Sequence, residues 1–320
     1  MATIAENLQT IIDIKDDIKT AIENKGVTVG DASFSEYAGK IDSIESGSTS
    51  VNVGALKLKF GNSTFREVPD VFDFSNLRSG NCYNLFKDCT NLTSVPLFDT
   101  SLISDVDNMF NGCTNLTTLP LYDFSNVSSL EYTFYECKSL TSVSLFDMSN
   151  VTDAMFAFFG CTSLQTIPQF DLSKLSYAQS MFSGCTSLTT IPAFTTGAVT
   201  NMNHMFNGCT NLTTVPTLDC SSVNNISYAF NNCSSLIQLG GFTNLGVAFT
   251  STSSAGNRTL NLGAATNLTV ESVLNVFNSI ADISTLNASS IIYLPTSVYN
   301  NLTSDEISIA TSKGWTVQSA

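Results

Sequence analysis

The chain has 320 residues, with 27 acidic and 13 basic side chains, one histidine and a formal net charge of −14. So acidic a balance argues against nucleic acid or an anionic membrane surface as the main partner, since both would repel it. No apolar run is long enough to span a bilayer, which predicts no membrane insertion, and acids by residue 6 without an apolar h-region predict no Sec leader.

At the start of the chain, Ile4, Leu8, Ile11, Ile18 and Ile22 keep a roughly heptad spacing through a segment rich in Asp, Glu and Lys. The spacing predicts an amphipathic helix over about 3–24, stopped near Gly26. Ile12 and Ile14 widen its apolar stripe, so it is expected to pack against partner chains or a small subdomain. A second short helical stretch is expected over 35–44. Residues 1–45 therefore read as a helical module, either a cap on the rest of the chain or a docking and oligomerisation device. Glu45-Ser46-Gly47-Ser48-Thr49-Ser50 opens a flexible linker, which together with a first strand fills 46–64.

From residue 65 to 242 the sequence repeats. Cys89, Cys113, Cys137, Cys161, Cys185, Cys209 and Cys233 stand 24 residues apart, each with Phe three positions before it and Leu three positions after. A fixed period with apolar residues in one phase means that each unit is one coil of a stack and cannot bury its core alone. After each cysteine a Leu-x-x-[Val/Leu/Ile] run predicts a short strand, closed at Pro96, Pro120, Pro168, Pro192 and Pro216 because proline has no N–H to donate. Ser144 replaces that proline in one unit. In the second half, Val127, Leu130 and Phe134 fall at i, i+3 and i+7, which predicts one to two turns of helix with Gly112, Gly160, Gly184 and Gly208 closing it. The expected fold is an α/β solenoid of the leucine-rich-repeat type: 24-residue coils, a parallel sheet with strands about 4.8 Å apart, an N-terminal helical module and a C-terminal α/β cap.

Three columns of the repeat bear on chemistry. The cysteines occupy an inward position and read as a reduced structural ladder of small hydrophobes, since no CxxC or histidine pairing suggests metal or redox work. Asp99, Asp123, Asp147, Asp171 and Asp219 form the ionisable column, interrupted by Thr195. Each is expected to cap backbone N–H groups of the following turn; calcium between rungs is the alternative. The column Leu97, Leu121, Leu145, Gln169, Ala193, Thr217 drifts while its neighbours stay fixed, which places it on the surface as the candidate binding face. His204 is the sole histidine and is read as an exposed accident. No Ser-His-Asp, Cys-His or paired-acid motif points to an active site, and no cofactor or catalytic metal is expected.

Past Phe242 the period stops, and 243–320 read as capping repeats. Strands are expected at Leu260-Asn261-Leu262, Ile291-Ile292-Tyr293-Leu294 and Trp315-Thr316-Val317, with a helix over Val270–Ile280. Thr303-Ser304-Asp305-Glu306 supplies a capping box for a last helix ending at Gly314.

The pattern F-x-x-C-x-x-L-x-x-[IV]-P-x-[FY]-D-x-S-x-V, covering about 65–242, resembles the BspA-like leucine-rich repeat. The resemblance implies a solenoid for adhesion or display, without catalysis. Ile4-Ala5-Glu6-Asn7-Leu8, Gly26-Val27-Thr28 and Phe34-Ser35-Glu36-Tyr37-Ala38-Gly39-Lys40-Ile41 resemble a short module at the start of phage and prophage structural proteins, and the ending Ala-Thr-Ser-Lys-Gly-Trp is similar to phage proteins carrying these repeats. Together these imply a protein on the exterior of a bacteriophage virion. Residues 1–45 would contact other virion proteins, with homo-oligomerisation possible, and the solenoid would contact a host-surface glycan or protein. A bacterial cell-surface adhesin without its leader, or an intracellular scaffold, is the alternative.

Overall fold

The computed structural model describes residue 19 and residues 81–320 except 251 and 287. The expected N-terminal module at 1–45, the linker and first strand at 46–64, and the start of the repeat region at 65–80 lie outside the described residues, save Lys19, which is helical.

Successive 24-residue units pair in parallel. β1 (Thr214–Val215) registers on β3 (Gln238–Leu239), and β2 (Leu218–Asp219) on β4 (Phe242–Thr243), each residue opposite the one 24 positions on. Thr190 bridges to Thr214 in the same column, and a second column runs through Ser129, Asp153, Tyr177, Asn201 and Asn225. The regular strands are two residues long because Pro216 separates β1 from β2 and cannot join a ladder. Elsewhere the pairing is by single bridges. The described residues thus form a repeat fold in which residues of one phase lie over each other.

Among the described residues, the helical half expected of each unit is absent. Before Cys137, the N–H groups of Leu130, Tyr132, Phe134 and Glu136 donate to the carbonyls of Asp153, Met155, Ala157 and Phe159 in the next unit, at 2.7–3.0 Å. The intervening Thr133, Tyr135 and Cys137 donate three residues back. Alternate N–H groups thus point along the stack, whereas in an α-helix every one points to residue i−4. The chain is a string of tight turns. It needs left-handed backbone five residues and one residue before each cysteine, as at Asn108 and Gly112, Tyr132 and Glu136, Phe156 and Gly160, or His204 and Gly208. The glycines expected at helix ends are left-handed, but they close turns.

Inside the stack the phenylalanines form one continuous column. Phe86, Phe110, Phe134, Phe158, Phe182, Phe206 and Phe230 stack with centroids 5.0–5.6 Å apart and planes within 17°. The leucine three after each cysteine is buried beside them. Offset stacking of this kind adds about 0.5–1.5 kcal/mol per pair beyond the apolar area removed from water.

The last rung is closed by a helix. α1 (Val270–Ser279) buries Val273, Val276 and Phe277 and lays polar side chains along the open edge of the stack. Ser272 Oγ accepts from Leu239 N–H at 3.1 Å, Ser279 Oγ accepts from Phe242 N–H at 2.9 Å, and Asn275 Nδ2 donates to the Leu239 carbonyl at 3.1 Å. Groups that would otherwise template another strand are thereby satisfied. Beyond α1 a parallel sheet of β5 (Thr259–Asn261), β6 (Ile291–Leu294) and β7 (Thr316–Ser319) completes the end, with α2 (Thr296–Tyr299) and α3 (Ser304–Thr311) between its strands. Thr303 and Glu306 make a capping box on α3. Lys313 Nζ donates to the carbonyls of Phe277, Asn278 and Ile280 at the C-terminus of α1, where a cation also suits the helix dipole.

Candidate functional site

All seven ladder cysteines are free and buried, as are Cys82 and Cys220 outside the ladder. From the second rung on, each thiol donates to the carbonyl of the phenylalanine in the preceding unit. The distances run from 2.9 Å for Cys113 to Phe86, through 3.2 Å for Cys137 to Phe110, to 3.2 Å for Cys233 to Phe206. Burial pushes the Cys161 and Cys233 thiols up to about 12. The thiolate is the nucleophile and the metal ligand, so these positions favour packing and rung-to-rung bonding over reaction.

The aspartate column lies on the surface. In Asp99, Asp123, Asp147, Asp171 and Asp219, Oδ1 accepts the N–H of the serine two residues on, at 2.8–3.0 Å. Hydrogen bonds from Ser101 and Ser125, hydroxyl first and then backbone, hold the carboxyls of Asp99 and Asp123 below the usual range. Each carboxylate thus closes an Asx turn at the corner after the aromatic column. Among the described residues no group of three or more His, Cys, Asp and Glu is placed to hold a metal ion.

The drifting column points outward along its length. Leu97, Leu121 and Leu145 are 70%, 63% and 60% exposed, and Gln169, Ala193 and Thr217 continue the exposed line. At Leu145, Gln169 and Ala193 the cause is local: Phe146, Phe170 and Phe194 donate two residues back to Ser144, Pro168 and Pro192, so the column residue sits at the apex of a three-residue turn. The polar members bond along the stack, Gln169 Nε2 to the Ala193 carbonyl at 2.6 Å and Thr217 Oγ1 to the Gly240 carbonyl at 3.0 Å. One end of the line is apolar and the other polar.

Sequence reasoning missed a second face, the outer side of the turn string. Tyr132 stacks on Phe156 at 4.8 Å, Tyr135 on Phe159 at 4.9 Å, and His204 on Tyr228 at 4.7 Å. His204 is therefore part of a ring column, not an isolated exposed side chain, and partial burial lowers its pKa. Asp107 accepts from Ser129 Oγ at 2.7 Å and from Glu131 N–H at 2.9 Å beside these rings. Desolvation, then neighbouring carboxylates, raise the pKa values of Asp107 and Glu131. A further Asx column also went unread: Asn81, Asp105, Asp153, Asn201 and Asn225 each accept the N–H two residues on. The signal was in the sequence, since aromatics recur five and two residues before the cysteines of neighbouring units.

This stacking of 24-residue units agrees with a family comparison. The family model described as "Mycoplasma protein of unknown function, DUF285" matches residues 80–193, 157–246 and 180–291, which together cover more than half of the chain. The chain belongs to the DUF285 family. The overlap of the three matches is what a periodic array produces, because a DUF285 model can be laid on it in more than one register. The DUF285 description carries no activity, and it is consistent with a BspA-like repeat protein. No curated protein matches the chain.

Proposed function

We propose that this protein is a non-enzymatic adhesion and display protein on the exterior of a bacteriophage virion. In this reading the repeats wind as a closed solenoid, residues 1–45 attach it to other virion proteins, and the drifting column meets a host-surface protein or glycan. One observation carries the contact role: Leu97, Leu121 and Leu145 stand 60–70% exposed in a single line, one per unit. Covering an exposed leucine is worth about 1.5–3 kcal/mol, so three at one rung's spacing favour a partner that lies along the stack. The family match supports the repeat array and is silent on partner and location.

Two measurements test the reading. Mass spectrometry of purified virions should find the chain, and surface digestion of intact particles should release peptides from 81–250. Leu97→Asp, Leu121→Asp and Leu145→Asp together should abolish binding to host cells with the thermal midpoint unchanged. Full binding by that triple variant would sink the contact role, and absence from particles would sink the virion assignment.

A further inference from the structure

The exposed leucines have a line of carboxylates beside them. Two residues after Leu97, Leu121 and Leu145 come Asp99, Asp123 and Asp147, which are exposed as well. The residue between, Phe98, Tyr122 or Phe146, is buried, so leucine and aspartate stand together on the outside of one corner of the coil. Two residues of extended backbone span at most about 6.8 Å, which bounds the distance between the two lines along the backbone. The serine two residues on holds each carboxylate in its turn, but no basic side chain balances the charge. Between Lys87 and Lys174 the only basic residue is Lys138, and it pairs with Glu136 at 3.2 Å. Lys174 donates to Asn150 Oδ1 at 2.7 Å. Past Leu145 the leucines give way to Gln169, Ala193 and Thr217, and Thr195 interrupts the aspartates. Apolar and acidic lines therefore coincide over three units only.

Spacing and charge select the occupant. Leu97 and Leu145 are two units apart, about 9.6 Å at one strand spacing per unit. On an α-helix, apolar residues at i, i+3 or i+4, and i+7 form a row about 10.5 Å long, close to that value. Three side chains on one face of a strand, at i, i+2 and i+4, spread over about 13 Å and fall out of step. A glycan would meet methyl groups that neither donate nor accept hydrogen bonds. The flanking row must be cationic to match Asp99, Asp123 and Asp147, and long lysine or arginine stems reach sideways from an apolar stripe. The net charge of −14 attracts the same partner from a distance.

We propose that the corner bearing Leu97, Leu121 and Leu145 with Asp99, Asp123 and Asp147 docks a basic amphipathic helix of a partner protein, laid along the stack. The leucines cover its apolar stripe and the carboxylates pair with the basic row beside that stripe. This rests on the contact role given to the leucine line and names its partner as a protein.

The probe is a fluorescent designed peptide of about 18 residues, five helical turns, with a leucine stripe flanked by lysines. Its anisotropy is followed against the full chain in about 0.15 M salt, where charges beyond about 8 Å are screened. The chain should bind it saturably, and should bind neither a scrambled peptide nor one with glutamates for lysines. Asp99→Asn, Asp123→Asn and Asp147→Asn together should weaken binding at least about threefold. Asparagine closes the same turn at Asn81, Asn201 and Asn225, so that variant keeps its fold. Asp219→Asn, Asp282→Asn and Asp305→Asn together remove equal charge elsewhere and should leave binding within about twofold. Leu97→Ser, Leu121→Ser and Leu145→Ser together should weaken it at least about tenfold. The proposal is overturned if the basic peptide does not bind, if the scrambled or acidic peptide binds as well, or if the two asparagine variants behave alike. Host-cell binding separates it from the reading beneath it. Loss with the leucine variant but full binding with the Asp99, Asp123 and Asp147 variant would keep the contact role and remove the basic helix.

Discussion

Phe158→Ala puts the packed column under the most direct strain. The ring has no solvent exposure; it stacks on Phe134 at 5.0 Å and Phe182 at 5.3 Å and lies 6.4 Å from Phe170. Emptying a buried aromatic site costs about 3–5 kcal/mol in transfer and cavity terms. With ring neighbours on both sides the loss falls in the upper part of that range, about 4–5 kcal/mol. In a stack whose units touch only their neighbours, the cost stays local and weakens the middle first. Urea unfolding is followed by far-UV circular dichroism and by fluorescence of Trp315, the sole tryptophan, buried against Phe249 in the C-terminal sheet region. The dichroism midpoint should drop, and the tryptophan transition should shift less, so that the two curves separate. A loss below about 1 kcal/mol would refute the reasoning, because no tightly packed ring can be removed that cheaply.

Other consequences are simpler to check. None of the nine cysteines should react with a thiol reagent in the native chain at neutral pH, and all nine should react in urea. Because burial raises Cys161 from 9.0 to about 12, the folded state holds a proton there that the unfolded state releases; that contribution is intact below pH 9 and is lost as pH rises toward 12, so urea midpoints should fall across this window, and fall less for Cys161→Ala, in which the other buried thiols such as Cys233 still contribute. Asp123→Ala should cost about 0.5–1 kcal/mol at pH 7, the low end for a lost cap at an exposed position. The Asp123 pKa is depressed by Ser125, so the difference from the parent chain should vanish as pH falls through the folded value, and a difference that persists at pH 2 would contradict the turn assignment. Glu136 is left-handed where neighbouring units have Gly112 and Gly160, so Glu136→Gly should raise the stability by up to about 1 kcal/mol, strain relief exceeding the added chain entropy.

The period and the buried columns were legible because they depend only on which residues recur in phase. Cys161, Phe158 and Leu164 are inside for the same reason that Cys185, Phe182 and Leu188 are. The outward line through Leu97, Leu121 and Leu145 was legible from its variation, although the three-residue turns that form at Leu145, Gln169 and Ala193 were not. Val127, Leu130 and Phe134 misled because tight turns of three residues also return a side chain to the core every three or four positions. Apolar spacing alone cannot separate such a turn string from a helix. The discriminating signal was the run of Asp88, Gly112, Glu136, Gly160, Gly184, Gly208 and Asn232, a column rich in residues that tolerate positive φ and all in that region. Three of the seven are not glycine, so the column was readable only across units. The ring columns at Tyr132, Phe156 and His204 were legible as identities, but their stacking needed the turn geometry to bring them over each other.

The central claim is that residues 24 positions apart lie one rung apart along the stack. Spin labels on Leu97→Cys with Thr217→Cys, and on Leu121→Cys with Thr217→Cys, measure it directly, the native thiols being shielded. The first pair spans five units and the second four, so the expected separations are about 24 Å and 19 Å, at about 4.8 Å per unit. Equal separations, or distances broad and beyond about 35 Å, would contradict the stacking that places every column described above.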